Sequence, residues 1–329
     1  SWRPVSGDLT RNLDRDALPV MGKVWSFDAV SKNRSTSAYG NIVSLSESPL
    51  VEDLLYVGTD DGLIQITEDG GRTWRRVENV RGVPDRTYVS RLEASHTDPD
   101  TVYAAFDNHK NGDFKPYVFK STDRGRNWTP MIGDLPDREV VYALTQDDQN
   151  PSLLFAGTEF GLYFTVDEGR HWIALEGGFP TIQVRDLDIH HGHSDLAVAT
   201  FGRGFYILDD FSPLRTVSEE LLESGPVLFP VREAPLYIES RSRHGSRGHG
   251  FWTAPNPPFG ATFTYSIPEK LKTLAEIRRE AEKEADEEGG TAPYPTPEQI
   301  RAEYEELEPG VYLVVRDSLD TVVRRIRGA

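Results

Sequence analysis

Thr67-Glu-Asp-Gly-Gly-Arg-Thr-Trp74, Ser121-Thr-Asp-Arg-Gly-Arg-Asn-Trp128 and Thr165-Val-Asp-Glu-Gly-Arg-His-Trp172 are three copies of one pattern, S/T-x-D-x-G-x-x-W. An aspartate with glycine two positions on has the chemistry of a tight hairpin turn. Its carboxylate accepts backbone N–H groups across the turn, and glycine takes positive φ without steric cost. The tryptophan that follows is expected to pack between neighbouring sheets. Asp69, Gly71, Trp74, Asp123, Gly125, Trp128, Asp167, Gly169 and Trp172 therefore read as structural, and no chemistry is assigned to them.

Working outward, short β-rich runs closed by Gly, Asp or Asn precede the copies: residues 42–47, 54–59 and 63–67, and later 140–145, 153–158 and 162–165. Three strands, the turn, then Trp and a fourth strand make one unit. Successive motif aspartates lie 54 and 44 residues apart, the period of a four-stranded propeller blade. The longer gap places an insertion at residues 109–116. Residues 184–189, 195–200 and 204–208 repeat the strand triplet. There, Asp209-Asp-Phe-Ser-Pro213 replaces the motif and no Trp follows, so this blade is expected to lack its outer strand. Ser1-Trp-Arg-Pro-Val-Ser6 reads as Trp plus a fourth strand without its turn. Two readings stay open: the chain is cut inside an earlier blade, or residues 2–6 complete the last blade and close a small ring.

These motifs resemble the Asp-box, or bacterial neuraminidase repeat, whose family holds sialidases, two-propeller xyloglucanases, sortilin-like receptor ectodomains and photosystem assembly factors. Leu55-Tyr-Val-Gly-Thr-Asp-Asp-Gly-Leu-Ile and Ala199-Thr-Phe-Gly-Arg-Gly-Phe-Tyr-Ile-Leu-Asp-Asp are most similar to large exported bacterial proteins described as sortilin-like or glycosyl-hydrolase-like. The resemblance covers residues 1–217. It implies an all-β fold, a propeller of four-stranded blades, and an extracellular or periplasmic location with any signal peptide outside this chain. The same repeat serves enzymes, receptors and scaffolds, so it does not deliver a function.

Residues 218–329 read as a different unit. Pro226, Pro230, Pro235, Pro255, Pro257 and Pro258 punctuate short strands such as 236–239 and 261–267. Residues 268–288 form a mixed-charge helix with Lys272/Glu276, Arg278/Glu282 and Lys283/Glu287 at i,i+4 spacing. Thr296-Pro-Glu-Gln299 is a capping box that starts a second helix. Strands at 310–316 and 321–327 look like the end strands of a fibronectin-type or other immunoglobulin-like sandwich, and the resemblance places such a module after a propeller. The expectation is a partial β-sandwich carrying a helical insertion at about 268–308.

With 53 acidic against 36 basic residues, a formal charge of -17 and hydrophobics at 37%, the chain is acidic. It carries no stretch approaching the ~20 apolar residues of a spanning helix. Its charge repels phosphate backbones, so neither nucleic acid nor a membrane span is expected. Zero Cys removes disulfides, thiolate metal sites and Cys nucleophiles.

On the face opposite the Asp-box turns, the loops between second and third strands and those entering each first strand converge on the channel. They carry Asp60, Asp61, Tyr88, Asp107, Tyr142, Glu159, Arg185, Asp186 and Arg203. Acids, arginines and tyrosines together suit a peptide or polysaccharide ligand. A glycoside hydrolase using a carboxylate pair on that face is the rival reading. A scaffold completed by a second chain or a missing segment is the third. His190-His-Gly-His193 with Asp195 has metal-ligand chemistry but falls on the Asp-box side and reads as a solvated turn, so no metal and no cofactor are assigned. Arg241-Ser-Arg-His-Gly-Ser-Arg-Gly-His249, followed by Phe251 and Trp252, reads as a mobile loop.

Overall fold

The computed structural model describes residues 3–32, 34, 38–234 and 259–328. The chain divides into two compact units, Ser1–Ser218 with Phe229–Thr264, and Glu219–Leu228 with Tyr265–Ala329.

The first unit holds four antiparallel meander sheets with the arrangement of propeller blades. Blade one comprises β1 (Ile42–Glu47), β2 (Leu55–Thr59), β3 (Ile64–Thr67) and β4 (Arg75–Val77). Blade two comprises β5 (Tyr88–Ala94), β6 (Val102–Asp107), β7 (Tyr117–Ser121) and β8 (Thr129–Pro130). Blade three comprises β9 (Val141–Gln146), β10 (Leu154–Thr158), β11 (Leu162–Thr165) and β12 (Ile173–Ala174). The fourth sheet has three strands, β13 (Val184–His190), β14 (Asp195–Thr200) and β15 (Phe205–Leu208).

The blades stack face to face, because each sheet is apolar on both sides. Tyr56, Ile64 and Ile66 of blade one meet Val89, Leu92 and Phe119 of blade two. Tyr103 and Ala105 meet Val141 and Leu154 across the next junction, and Phe155 and Leu162 meet Val184 and Leu187 across the third. Glycine makes this approach possible. A Cβ on Gly58 would lie 2.5 Å from the Val89 side chain, and one on Gly157 2.5 Å from that of Val184. The innermost strand of every blade is bulged near its start, after the first paired residue in blades one, three and four and after the second in blade two.

The three motif turns share one hydrogen-bond network. The hydroxyls of Thr67, Ser121 and Thr165 each donate to the motif aspartate at 2.8 Å and accept the N–H of Gly71, Gly125 and Gly169. The aspartates in turn accept the N–H of Thr73, Asn127 and His171. The glycines sit at φ 90°, 73° and 80°. The Thr73 N–H, then its hydroxyl and that of Thr67, hold the Asp69 carboxyl at about 2. The Asn127 N–H leads the same effect at Asp123, also about 2. At Asp167 burial pulls upward, and the donors of His171 outweigh it. Trp128 packs into the core between blades one and two and Trp172 into that between two and three.

Blade four replaces the motif without losing its packing. Phe211 is buried and meets Phe155 edge to face at 5.1 Å. Its N–H donates to Ser194, as Gly70 and Glu168 of the motif turns donate to Asp53 and Ser152. Before the blades, the Arg11 N–H donates to the Asp61 carboxylate at 2.7 Å and Gln65 donates to the Leu9 carbonyl, which straps the N-terminal segment across blade one.

In the second unit, β16 (Val227–Leu228) pairs with β17 (Tyr265–Ser266), and β18 (Tyr312–Arg316) pairs with β19 (Val322–Arg327). Between them, α2 (Leu274–Glu287) and α3 (Pro297–Glu305) follow α1 (Glu219–Glu223) in chain order. Both long helices start in capping boxes, at Thr273 and Thr296. Arg278 joins them through Glu303 and also reaches Glu282. Lys272 turns to Glu280 rather than Glu276, because it precedes the helix. The described residues here form two separate two-stranded sheets, not a sandwich of ~7 strands, and none of them is buried. The expected strand at 236–239, the basic stretch 241–249, Phe251, Trp252 and Trp2 lie outside the described residues. Among those described, no helix is long and apolar enough to cross a membrane.

Two outcomes follow for stability. Trp172→Ala is expected to cost about 3–5 kcal/mol in urea unfolding, the scale for a large buried aromatic, and Trp74→Ala, only partly buried at the first blade, clearly less. Because Asp69 and Asp123 are lowered in the folded state, their contribution is present above about pH 4 and lost as pH falls toward about 2. Unfolding followed across that window should give a shallower acid loss for the Asp69→Asn/Asp123→Asn variant than for the parent.

Candidate functional site

The four sheets place side chains by register at the end opposite the motif turns. The residue closing the second strand, or following it, is Asp60, Asp107, Glu159 and Phe201 in blades one to four. The bulged residue of the innermost strand is Val43, Ser90, Tyr142 and Arg185. Repeated backbone geometry thus presents a varied set of side chains at the same end of successive sheets.

Asp60, Tyr88 and Asp107 come together in a cavity of about 840 Å³. Its other walls were not legible as site residues: Tyr39, Arg86 and Lys110 from the blade loops, and Arg15, Leu18, Trp25, Val30 and Lys32 from the N-terminal segment. Asp60 accepts from the N–H groups of Gly40 and Asn41 and from the Asn41 amide at 2.8–2.9 Å, which sets the loop entering β1. Asp107 accepts the His109 N–H at 2.9 Å and faces its ring Nδ1 at 2.6 Å. The Lys110 ammonium lies 5.2 Å from the Tyr88 ring centre. His109 and Lys110 belong to the insertion at 109–116, so the longer spacing between the first two motifs was the signal that could have found them.

Beside this cavity lies a second group. The Tyr142 hydroxyl donates to Glu159 at 2.5 Å, and the Gln183 amide donates to the same oxygen at 2.8 Å. The Arg185 guanidinium stacks 4.1 Å from the Tyr142 ring centre, a cation–π contact. The His109 ring meets that of Tyr142 edge on, at 6.4 Å, which joins the two groups. Burial, then the bond to Glu159 and the charges of Asp107 and Glu159, push the Tyr142 phenol well up, while Arg185 pulls it down. Burial also raises Tyr88 and Tyr39.

Three expected residues have other employment. Asp61 is fully buried and bonds the Thr59 hydroxyl and the Arg11 N–H, so it holds the N-terminal strap rather than a ligand. Asp186 pairs at 3.0 Å with Arg91, bridging the innermost strands of blades two and four. Arg203 sits in the exposed turn between β14 and β15, apart from the cavity. On the side of the motif turns, the rings of His190 and His193 stack at 4.8 Å, His191 faces Asp148 and Asp195 faces Arg232. These side chains diverge, and among the described residues no group of three could hold a metal ion.

No family model matches the chain, and no curated protein matches it in sequence. Among solved structures, the GH74 enzyme of Niastella koreensis is similar with a TM-score of 0.42 at 15% identity, over 53% of this chain and 29% of that one. The GH74 xyloglucanase of Xanthomonas campestris gives 0.39 at 15%, over 52% and 29%. YCF48 from Cyanidioschyzon merolae gives 0.37 at 19%, over 52% and 53%. The chain therefore spans less than a third of the two GH74 structures and about half of YCF48.

A phenol raised by folding contributes stability that is whole below about pH 10 and lost as pH rises through the folded-state value. Urea stability is expected to fall above about pH 10, and Tyr142→Phe, with no proton to lose at that site, to fall less steeply.

Proposed function

We propose that this chain is an Asp-box propeller protein of the exported, sortilin-like kind, and that its channel face binds a peptide. The cavity walled by Tyr39, Trp25 and Tyr88, by Leu18 and Val30, and by charges of both signs in Asp60, Asp107, Arg86 and Lys110 carries this reading. Its volume, about 840 Å³, is that of a pocket for several side chains, and its mixture of apolar and two-signed polar walls matches the chemistry of a peptide. A polysaccharide would seek open aromatic faces. Here one face of Tyr88 is covered by Lys110 and one face of Tyr142 by Arg185.

A glycoside hydrolase would need two carboxyl groups placed to act across one bond. Asp107 is clasped by His109, Glu159 by Tyr142 and Gln183, Asp60 by residues 40–41, and Asp186 by Arg91. These engagements favour a rigid recognition surface over a catalytic pair. The charge of -17 also disfavours nucleic acid as the partner.

A phage-displayed peptide library panned on the intact chain is expected to enrich apolar residues flanked by opposite charges. With a selected peptide in titration calorimetry, Tyr88→Ala or Lys110→Glu should weaken binding by about tenfold or more, some 1.4 kcal/mol, while Arg203→Ala leaves it unchanged. Binding of soluble oligosaccharides without any enriched peptide would overturn the peptide reading. Release of reducing sugar from a polysaccharide would replace it with hydrolysis.

A further inference from the structure

Four residues beyond Leu92, Leu144 and Leu187, the buried leucines of three innermost strands, stand His96, Asp148 and His191. The positions are equivalent, so repetition brings them from three successive blades to one place at the end of the motif turns. The His96 and His191 rings lie 5.1 Å apart, and the His191 Nδ1 lies 3.3 Å from the Asp148 carboxylate. The His96 Nε2 lies 3.7 Å from the carboxylate of Glu93, on the innermost strand of blade two.

The backbone that carries these groups is fixed by bonds that do not involve the imidazoles. The Gln146 side chain accepts the Ser95 hydroxyl at 2.7 Å and the His96 N–H at 3.1 Å, and it donates to the Tyr103 hydroxyl at 3.0 Å. Arg215, in the turn after blade four, grips the fully buried Asp147 carboxylate at 2.7 and 2.8 Å and donates to the Ser194 hydroxyl at 2.9 Å. Its guanidinium also lies 3.6 Å from Asp148. Beyond Glu93, Arg91 lies 3.7 Å from that carboxylate and 3.0 Å from Asp186.

Charge along this row does not balance while the imidazoles are neutral. Four carboxylates, Glu93, Asp147, Asp148 and Asp186, meet two guanidinium groups, Arg91 and Arg215, which leaves two negative charges in excess. Protons on His96 and His191 cancel that excess. At the centre of the row Glu93, His96, Asp147 and Asp148 are 0–30% exposed, so their charges act on one another more strongly than in bulk water. His190 and His193, in the loop of His191, stack on each other, and Asp195 faces Arg232, so neither pair supplies the balance.

We propose that His96 and His191 form a pH-sensitive latch across blades two, three and four, which tightens when both imidazoles take up protons. Asp148 of blade three then faces a cation from blade four. Glu93, which also accepts the Thr145 hydroxyl of blade three at 3.1 Å, faces one from blade two. The Glu93 carboxylate, aided by the charges of Asp148 and Asp147, holds His96 above the usual imidazole range against the downward pull of burial. A raised folded-state value means that the contribution of His96 is whole below about pH 6.5 and lost as pH rises through that folded-state value. The latch is therefore closed at mildly acid pH and loosened above neutrality.

Trp128 and Trp172, packed between the blades, report unfolding of this unit by fluorescence. The urea midpoint of the parent chain is expected to be higher at about pH 5.5 than at about pH 7.5, by about 0.3 M. The His96→Gln/His191→Gln chain should lose most of that difference. A parent midpoint that is unchanged or lower at the acid pH overturns the proposal, and so does a double variant that keeps most of the difference. Independently of that variant, NMR titration of the His96 ring in the parent chain should give a midpoint above the free-histidine value of about 6.5, and Glu93→Gln should bring it down. A His96 midpoint at or below the free value, or one that Glu93→Gln does not move, also overturns the proposal.

Discussion

The close seating of each innermost strand on a glycine or alanine of the blade before it governs the rest of the first unit. Val89 over Gly58 and Val184 over Gly157 leave no room for a Cβ, so neighbouring sheets stack close together and bury Tyr56, Tyr103 and Phe155 completely. Burial of such side chains is the dominant favourable term for a chain without disulfides. It is also repetitive, so that each junction repeats the geometry of the one before.

From that repetition comes the face that carries the candidate site. The bulge near the start of each innermost strand releases one side chain per blade from the ladder, and the end of each second strand presents another. Tyr142, Arg185, Asp107 and Glu159 owe their mutual placement to this register rather than to proximity in sequence. They are then locked by one another, through the Tyr142–Glu159 bond and the Arg185 stack. Such preorganisation lowers the ordering cost of binding. The motif turns, at the other end of the first three blades, contribute rigidity without taking part, since their carboxylates are spent on backbone N–H groups and hydroxyls.

Much of this is legible in the amino-acid sequence. The runs at 42–47, 162–165 and 195–200 coincide with strands, and the other strand limits within the blades differ by about one residue, because alternation and turn residues are local signals. Both long helices start in capping boxes, and the helix expected from residue 268 begins only at Leu274, after the box Thr273-Leu-Ala-Glu276. Counting loops within a blade puts Asp60, Tyr88 and Asp107 on one face, and the cavity unites them. Phe211 escapes such reasoning because its role, filling the place of a motif tryptophan against Phe155, is defined by the neighbouring blade and not by its own sequence context. Asp61 looks like its neighbour Asp60, yet alternation turns it inward to Arg11, 50 residues away in sequence.

Local chemistry therefore decided the repeat, the turns and the strand order within each blade, because these depend on contacts between residues close along the chain. The course of the N-terminal segment over blade one, the cavity it walls with Trp25 and Lys32, and the Arg91–Asp186 bridge between blades two and four were decided only when the blades stacked. Those features join residues separated by tens of positions, and their energies depend on distances that no spacing in the sequence encodes.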